Sequence, residues 1–228
     1  MKIEKFELLH FINKYNFPLF VEVNYNFMQF DPQEIEQKAI YKLLSGIVIP
    51  RPIGWISSIS DEGITNLAPF SFFNAVGDDP PHVMFSAGRG VTSNQDTLNN
   101  VLNTKQFVVN MVTEELVEQM NMTAQGIPPH ESEFEFANLT PIPSIKIKPP
   151  RVKESPITME CELVHHYTLE DHKFGGSTIL VGRIVLFHVA DNMLLEGHKI
   201  NQENYQPISR LAGSNYSKIG EIFSIKRN

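Results

Sequence analysis

The chain has 228 residues, of which 42% are hydrophobic and 20% charged, and it carries a formal net charge of −7. These proportions are those of a globular protein, and no apolar run approaches the roughly twenty residues that a membrane-spanning helix needs. The negative charge argues against sequence-independent nucleic-acid binding, which requires a basic surface. We therefore expect a soluble protein that binds neither nucleic acid nor a membrane.

The first 27 residues are rich in aromatic residues and asparagine without a regular period. We interpret residues 1–27 as an extension and residues 28–228 as the domain itself. A helix is predicted from about residue 31, because Asp31 can cap a helix and Pro32 suits its first position. Its apolar stripe would consist of Ile35, Ala39 and Leu43.

Residues 50–75 predict a β-hairpin followed by an irregular stretch. Residues 55–59 and 64–67 predict its strands, joined by a turn that ends at Gly63. Soon after residue 67 the alternation of apolar and polar residues stops, and small, amide and hydroxyl side chains occur beside aromatic ones. This stretch could hold a polar, planar ligand, and it could equally be a loop with local turns.

The turn at residues 88–92 is the best local candidate for an anion site. It follows a strand predicted at 82–87 and precedes a helix predicted to run to about residue 103, whose free N–H groups would favour a phosphate. The alternative is an ordinary capping box, in which the carboxylate of Asp96 competes with a phosphate. The other polar side chains near this start are Arg89, Thr92, Ser93 and Thr97.

The second half of the chain is dominated by predicted strands. A strand at 107–112 precedes a helix capped by Thr113, and a proline-rich segment at 126–157 is predicted to pack along the domain surface. Two long strands, at 157–169 and 177–190, form a hairpin. The fold class predicted is therefore mainly β, a barrel with a few added helices.

Cysteine and histidine give little sign of chemistry. Cys161 is the single cysteine, and with no secretory signal we expect a reducing, cytoplasmic environment. It lies in an alternating strand and is interpreted as a buried core residue rather than a catalytic thiol. His165 and His166 point to opposite faces of a strand, so no metal site is predicted. His188 is interpreted as structural, although a barrel rim would also allow ligand contact.

Seven blocks of the sequence resemble, in order, the flavin reductase-like family of FMN-binding split barrels, to which the flavoredoxins belong. The resemblance covers about residues 28–225. The blocks are YKLLSGIVIPRPIGWISS, DEGITNLAPFSFFN, DDPPHVMFSAG, QDTLNNVLNTKQFVVNMV, SEFEFANLTPIPS, VKESPITMECELV and ISRLAGSNYSKIGEIF.

The resemblance implies a six-stranded Greek-key split β-barrel that forms a homodimer, with FMN near the subunit interface. The residues that it implies at the flavin ring and ribityl chain are Trp55, Ser57, Ser58, Asn66, Leu67, Ala68, Ser71, Phe73 and Asn74. Those that it implies at the phosphate are Ser86, Arg89, Asp96 and Thr97. Arg210 and Tyr216 match a tail motif of the family and would complete the site, from either subunit.

One departure from the family pattern concerns the phosphate. Family members commonly carry lysine before the Asp-Thr pair, whereas this chain has Gln95, so Arg89 would have to supply the charge.

The resemblance implies an NAD(P)H-dependent flavin reductase that passes hydride to FMN and electrons on to a small-molecule or protein acceptor. Hydride transfer itself requires no protein acid or base, so no catalytic residue is predicted. The alternative is a flavoredoxin-like electron carrier that a partner protein reduces, and a member that binds no flavin is a third possibility.

Overall fold

The computed structural model describes residues 25–88, 92–128, 130–169 and 176–226. The chain divides into two compact units, Met1–Glu36 and Gln37–Asn228. None of the described helices is long and apolar enough to cross a membrane. The domain boundary at residues 27 and 28 stays a prediction.

The described part of the chain contains short helices and many strands. The helices are α1 (Gln37–Ile47), α2 (Thr92–Thr104), α3 (Val117–Met122), α4 (Glu133–Phe136) and α5 (Gln202–Tyr205), with 3-10 turns at Glu114–Leu116 and Asp191–Met193. The strands are β1 (Arg51–Pro52), β2 (Gly54–Ile59), β3 (Thr65–Phe70), β4 (Phe73–Asp78), β5 (Pro81–Gly88), β6 (Gln106–Met111), β7 (Pro141–Ile142), β8 (Arg151–Val152), β9 (Ile157–Leu169), β10 (Ser177–Val189), β11 (Leu194–Leu195), β12 (Lys199–Ile200), β13 (Ser209–Arg210) and β14 (Tyr216–Ser217).

The first helix begins later than the sequence predicts. The Oδ1 atom of Asp31 accepts a hydrogen bond from the N–H of Gln33 at 2.8 Å, and the N–H of Glu34 binds the carbonyl of Asp31 at 3.0 Å. These bonds close a local turn, so Asp31 caps no helix, and α1 starts only at Gln37. The predicted start at Asp31 is wrong for that reason.

The main sheet of the described residues has seven strands in the order β3-β2-β6-β9-β10-β5-β4. In a flat sheet with strands about 4.8 Å apart, its edge strands β3 and β4 would be separated by about 29 Å. Only residues 71 and 72 connect β3 to β4, and the chain can span only about 10 Å from residue 70 to residue 73. The sheet must therefore curl into a barrel whose edges meet at Ser71 and Phe72.

This bend also explains the number of strands. The resemblance implies six, and the seventh arises because one long stretch of chain is divided at residues 71 and 72 into β3 and β4. The predicted mainly-β split barrel is confirmed.

Aromatic side chains fill the barrel interior. The rings of Phe85 and Phe107 pack edge to face with centroids 5.2 Å apart, and Phe70 packs against Phe85 at 4.8 Å. Cys161 is fully buried in the same cluster, and this burial, together with the charge of Glu160, raises the pKa of its thiol. The interpretation of Cys161 as a core residue is confirmed.

The proline-rich segment covers the opposite face of β2, β6 and β9. Its backbone is held by buried polar side chains of the sheet: Asn110 accepts the N–H of Val152 at 2.8 Å, and Glu160 accepts the N–H groups of Ile145 and Lys146 at 2.7 Å each. Proline has no N–H group, so a segment rich in proline cannot form a regular helix or strand of its own. The N–H groups of its other residues are therefore bound by acceptors that the sheet supplies. The prediction of a packed surface segment is confirmed.

The two long strands agree with their prediction, whereas the cap at Thr113 does not. The two long strands were predicted within one residue of β9 and β10. Thr113 precedes a 3-10 turn, and its side chain makes no capping bond, so its predicted capping role is wrong.

Candidate functional site

A buried polar cluster joins the predicted hairpin to helix α2. The side-chain amide of Asn66 donates to Thr97 Oγ1 at 2.8 Å and to Ser58 Oγ at 3.3 Å, and that of Asn100 donates to Ser58 Oγ at 3.2 Å. Ser58 and Asn66 are register partners on β2 and β3, so their side chains share one face of the sheet. The structure therefore brings together three of the predicted site residues, Ser58, Asn66 and Thr97, as a connected network.

A small acidic pocket lies beside this cluster. Asp96 and Glu133 both line it, and Asn66 and Asn100 form part of its wall. Burial raises the pKa of Asp96. Burial also raises the pKa of Glu133, against the lowering effect of the Leu67 N–H, and the charge of Asp96 adds to the rise. Such a pocket repels a phosphate, so the phosphate assignment of Asp96 gains no support from its surroundings.

Three predicted residues lie on the other face of the hairpin. Trp55 is fully buried, and its indole N–H donates to Thr123 Oγ1 at 2.8 Å. Ser57 Oγ donates to the carbonyl of Pro150 in the proline-rich segment. The N–H of Leu67, on the free edge of β3, is bound by Glu133 Oε2 at 3.0 Å. These groups are already used by the protein itself, and they lie apart from the cluster of Ser58 and Asn66.

Ala68 and Phe73 point into the barrel interior, where both are buried. Phe73 packs so closely on Gly54 that a Cβ added there would lie 2.6 Å from the Phe73 ring. Phe73 therefore closes the barrel at the bend between β3 and β4.

Three further predicted polar residues, Ser71, Asn74 and Ser86, lie around that bend. Together with Phe72 they form a group that we call the corner. Ser71 and Ser86 are half-buried and Asn74 is exposed. The N–H of Ser86 binds the carbonyl of Phe72 at 2.9 Å, and the Phe72 ring is partly exposed. The corner thus offers hydroxyl and amide groups beside an accessible aromatic ring.

Arg210 and Tyr216 form a pair on the tail strands β13 and β14. The guanidinium of Arg210 lies 4.5 Å from the ring centroid of Tyr216, and the Tyr216 hydroxyl donates to Asn121 Oδ1 at 3.1 Å. Strand β13 pairs with β1, where Arg51 is the register partner of Arg210. Arg51 in turn donates to Ser71 Oγ at 3.4 Å, so the tail and the corner are linked.

Arg89 and the side chain of Gln95 lie outside the described residues, so their assignment to a phosphate stays a prediction. No group of three or more His, Cys, Asp or Glu side chains within the described ranges could hold a metal ion.

The sequence-based predictions missed Arg51 and Glu133. Arg51 stands between two prolines, and Glu133 belongs to an alternating Glu-Phe run that is typical of an exposed acidic face. Both are buried. A charged residue inside an apolar stretch, as at position 51, was the one signal that the sequence offered.

Known proteins resemble this chain over most of its length. A family model described as flavin reductase like domain matches residues 45–209. An uncharacterized protein of Aquifex aeolicus is 45% identical over 192 residues, covering 84% of this chain and 95% of that protein. The crystal structure of nitrilotriacetate monooxygenase component B from Bacillus cereus superposes with a TM-score of 0.84 at 41% identity, covering 89% of this chain and 100% of that one. The structure of a Pseudomonas fluorescens 2-nitrobenzoate 2-nitroreductase gives a TM-score of 0.78 at 30% identity, with 88% and 96% covered.

Proposed function

Since this chain belongs to the flavin reductase-like family, we propose that it is an FMN-binding oxidoreductase that takes hydride from NAD(P)H and passes electrons to an acceptor. Membership of the family confirms the resemblance read from the seven sequence blocks. A flavin cofactor follows from the family, whereas the choice of FMN and the use of NAD(P)H are the proposal.

The observation that carries the proposal is the composition of the corner. Half-buried hydroxyls at Ser71 and Ser86 and the exposed amide of Asn74 lie where the two barrel edges meet, beside the partly exposed ring of Phe72. A flavin needs an apolar surface for its ring and a few hydrogen-bonding groups at its edge. The residues at the corner fit such a group.

FMN, when bound, supplies the ring that accepts hydride. The chain would orient this ring through the hydroxyls of Ser71 and Ser86, and the packed barrel interior would exclude water from one side. His188 receives no role, because its Nε2 is bound to the buried Glu160 at 2.7 Å, under the proline-rich segment. Trp55, Ser57 and Leu67 are likewise left out, because their polar groups are bound within the protein.

Anaerobic reduction tests the proposal. The purified protein is loaded with FMN, freed of excess flavin by desalting, and mixed separately with NADH and NADPH while absorbance of the flavin band is followed. Rapid bleaching with either donor is expected, faster than for free FMN at the same concentration.

Two outcomes would contradict it. A protein that retains no flavin after desalting and gives no binding signal in a titration with FMN lacks the cofactor. A protein that stays yellow with both donors but is bleached by a reduced partner protein is an electron carrier instead.

A further inference from the structure

Arg51 is a buried cation that the sequence analysis assigned no role. Its exposed fraction is 4%. A buried charge is costly unless it is paired or fully hydrogen-bonded. None of the ion pairs found among the described residues involves Arg51.

Backbone carbonyls take the place of a carboxylate. The Nη1 atom donates to the carbonyls of Ser45 and Val48 at 2.6 and 2.7 Å, and the Nη2 atom donates to that of Leu211 at 2.9 Å. Ser45 and Val48 lie at the C-terminal end of α1. Free carbonyls at a helix C-terminus carry partial negative charge and favour a cation there.

The same guanidinium reaches the corner. Its Nε atom donates to Ser71 Oγ at 3.4 Å, and its Cζ atom lies 6.0 Å from the ring centroid of Phe72. Arg51 thus joins three separate pieces of chain: the end of α1, the bend between the barrel edges, and the tail beside β13. A lysine would do this less well, because its three N–H donors lie on one nitrogen, whereas the donors of Arg51 are spread over Nε, Nη1 and Nη2.

We propose that Arg51 is a positioning residue of the cofactor site, which fixes the corner and the tail strands in one arrangement before the cofactor binds. The inference rests on the proposed function and adds to it how that site is held together. Because Arg51 has no carboxylate counter-charge among the described residues, it also adds positive potential at the corner, which favours an anionic cofactor such as FMN.

The test compares Arg51→Met and Arg51→Lys with the control Arg151→Met. Arg151 is a half-buried arginine whose side chain makes only a long hydrogen bond within the described part of the chain, to the carbonyl of Pro143 at 3.4 Å. All measurements are made on the full chain, well below the unfolding temperature of each variant. The readouts are FMN affinity by fluorescence titration, kcat at saturating flavin, and amide hydrogen exchange of residues 45–49, 208–217 and strands β6 and β9.

Arg51→Met should weaken FMN binding by about tenfold or more, because the corner and the tail strands are no longer held in one arrangement before the cofactor binds, with kcat changed by less than about twofold. Exchange should accelerate at residues 45–49 and 208–217 and stay unchanged in β6 and β9. Arg51→Lys should fall between wild type and Arg51→Met, and Arg151→Met should match wild type in flavin affinity.

Two results would overturn the inference. If exchange of the tail stays at the wild-type rate in Arg51→Met, Arg51 does not hold the tail. If the tail loosens but flavin affinity is unchanged, Arg51 serves the fold alone. A wild-type protein that binds no FMN would instead remove the proposed function, and the exchange data would still decide whether Arg51 holds the tail.

Discussion

Two buried glutamates, Glu133 and Glu160, have pKa values that are shifted in opposite directions. Glu133 is 2% exposed and Glu160 is 0% exposed. Burial alone would raise the pKa of Glu160, but the N–H of Ile145, the bond from His188 and the N–H of Lys146 outweigh it and lower the pKa. The pKa of Glu133 is raised by burial; the backbone N–H groups of Leu67 and of Glu133 itself lower it without compensating, and the charge of Asp96 adds to the rise. The number of donors around each carboxylate decides the sign.

Glu160→Gln should destabilise the protein by about 1–3 kcal/mol at pH 7, because the amide group can accept only one of the two backbone N–H bonds and leaves the other unpaired. A carboxylate with a lowered pKa stabilises the fold above its unfolded pKa, and this contribution is lost as pH falls through the folded pKa. The acid sensitivity of the variant should therefore be weaker than that of wild type. Denaturant unfolding at pH 7, 5 and 4 measures both effects.

Glu162→Gln is the matched control for this prediction. It removes an exposed carboxylate two residues further on, whose ion pair with Arg183 lies at the surface, and it should change stability by less than about 1 kcal/mol. Equal loss in both variants would mean that the buried bonds of Glu160 contribute nothing special.

Glu133→Gln should leave the protein as stable as wild type, or more stable, at pH 7. The amide oxygen can still accept the N–H of Leu67, and the repulsion from Asp96 disappears. Because the folded pKa is raised, the wild-type carboxyl costs stability as pH rises above about 4, its ordinary value, so the advantage of the variant should grow from pH 4 to pH 7. Unfolding of Glu133→Gln and of the exposed Glu135→Gln at both pH values checks this, and a variant less stable than wild type at pH 7 would contradict it.

At the scale of single elements, the sequence predicts what depends on local pattern. The hairpin of β2 and β3 and the long strands β9 and β10 follow from alternation and from turn residues such as Gly63, whose φ is +88°. The start of α1 could not be predicted in the same way. An aspartate that caps a helix and an aspartate that closes a local turn have the same sequence signature, and Asp31 closes a turn.

The candidate site was predictable only in part, for a reason of geometry. The hairpin predicts that Ser57 and Ser58 are strand neighbours, so only one of them can face the cluster of Asn66 and Thr97. Which one does so depends on what covers each face, and the covering segment comes nearly a hundred residues later, at Pro150. Resemblance to a family predicts which residues belong to the site. The packing of the covering segment decides which face of the hairpin each of them occupies.

Strand β10 contains Gly182 in its interior. Glycine weakens a strand, but the packing of the barrel requires it at this position. A Cβ added at Gly182 would lie 2.3 Å from Phe107 Cζ and 2.6 Å from Phe107 Cε1. Phe107 is fully buried and packs on Phe85, so it has no room to move. Gly182→Ala should therefore cost about 1–3 kcal/mol of unfolding free energy. Thermal and denaturant unfolding measure the loss, and Gly220→Ala, where a Cβ meets nothing within 4 Å, is the control. A Gly182→Ala variant as stable as the control would show that the core yields at no cost.

At the scale of the whole molecule, the barrel leaves an apolar sheet face in contact with water. We call it the outer sheet face, and its members by register are the apolar or aromatic residues Met84, Tyr167, Leu169, Ile179 and Val181 together with the polar residues Ser86, His165 and Ser177. Tyr167 is 60% exposed and Leu169 41% exposed. Contiguous apolar surface of this kind is typical of an interface between protein molecules. Because Ser86 also belongs to the corner, the predicted homodimer would cover the proposed cofactor site from the same side.

If the protein forms the predicted homodimer through this face, Tyr167→Glu should convert it to a monomer, since a second copy would bury the new carboxylate without a partner. Light scattering coupled to size-exclusion chromatography, over a series of protein concentrations, measures the mass. Ile145→Glu places the same charge on another exposed apolar residue, 73% exposed, and should leave the mass unchanged. Flavin affinity should fall with the dimer in Tyr167→Glu if the partner subunit helps to enclose FMN. A wild-type protein that is monomeric at all concentrations would contradict the dimer, and a dimeric Tyr167→Glu would place the interface on a different face.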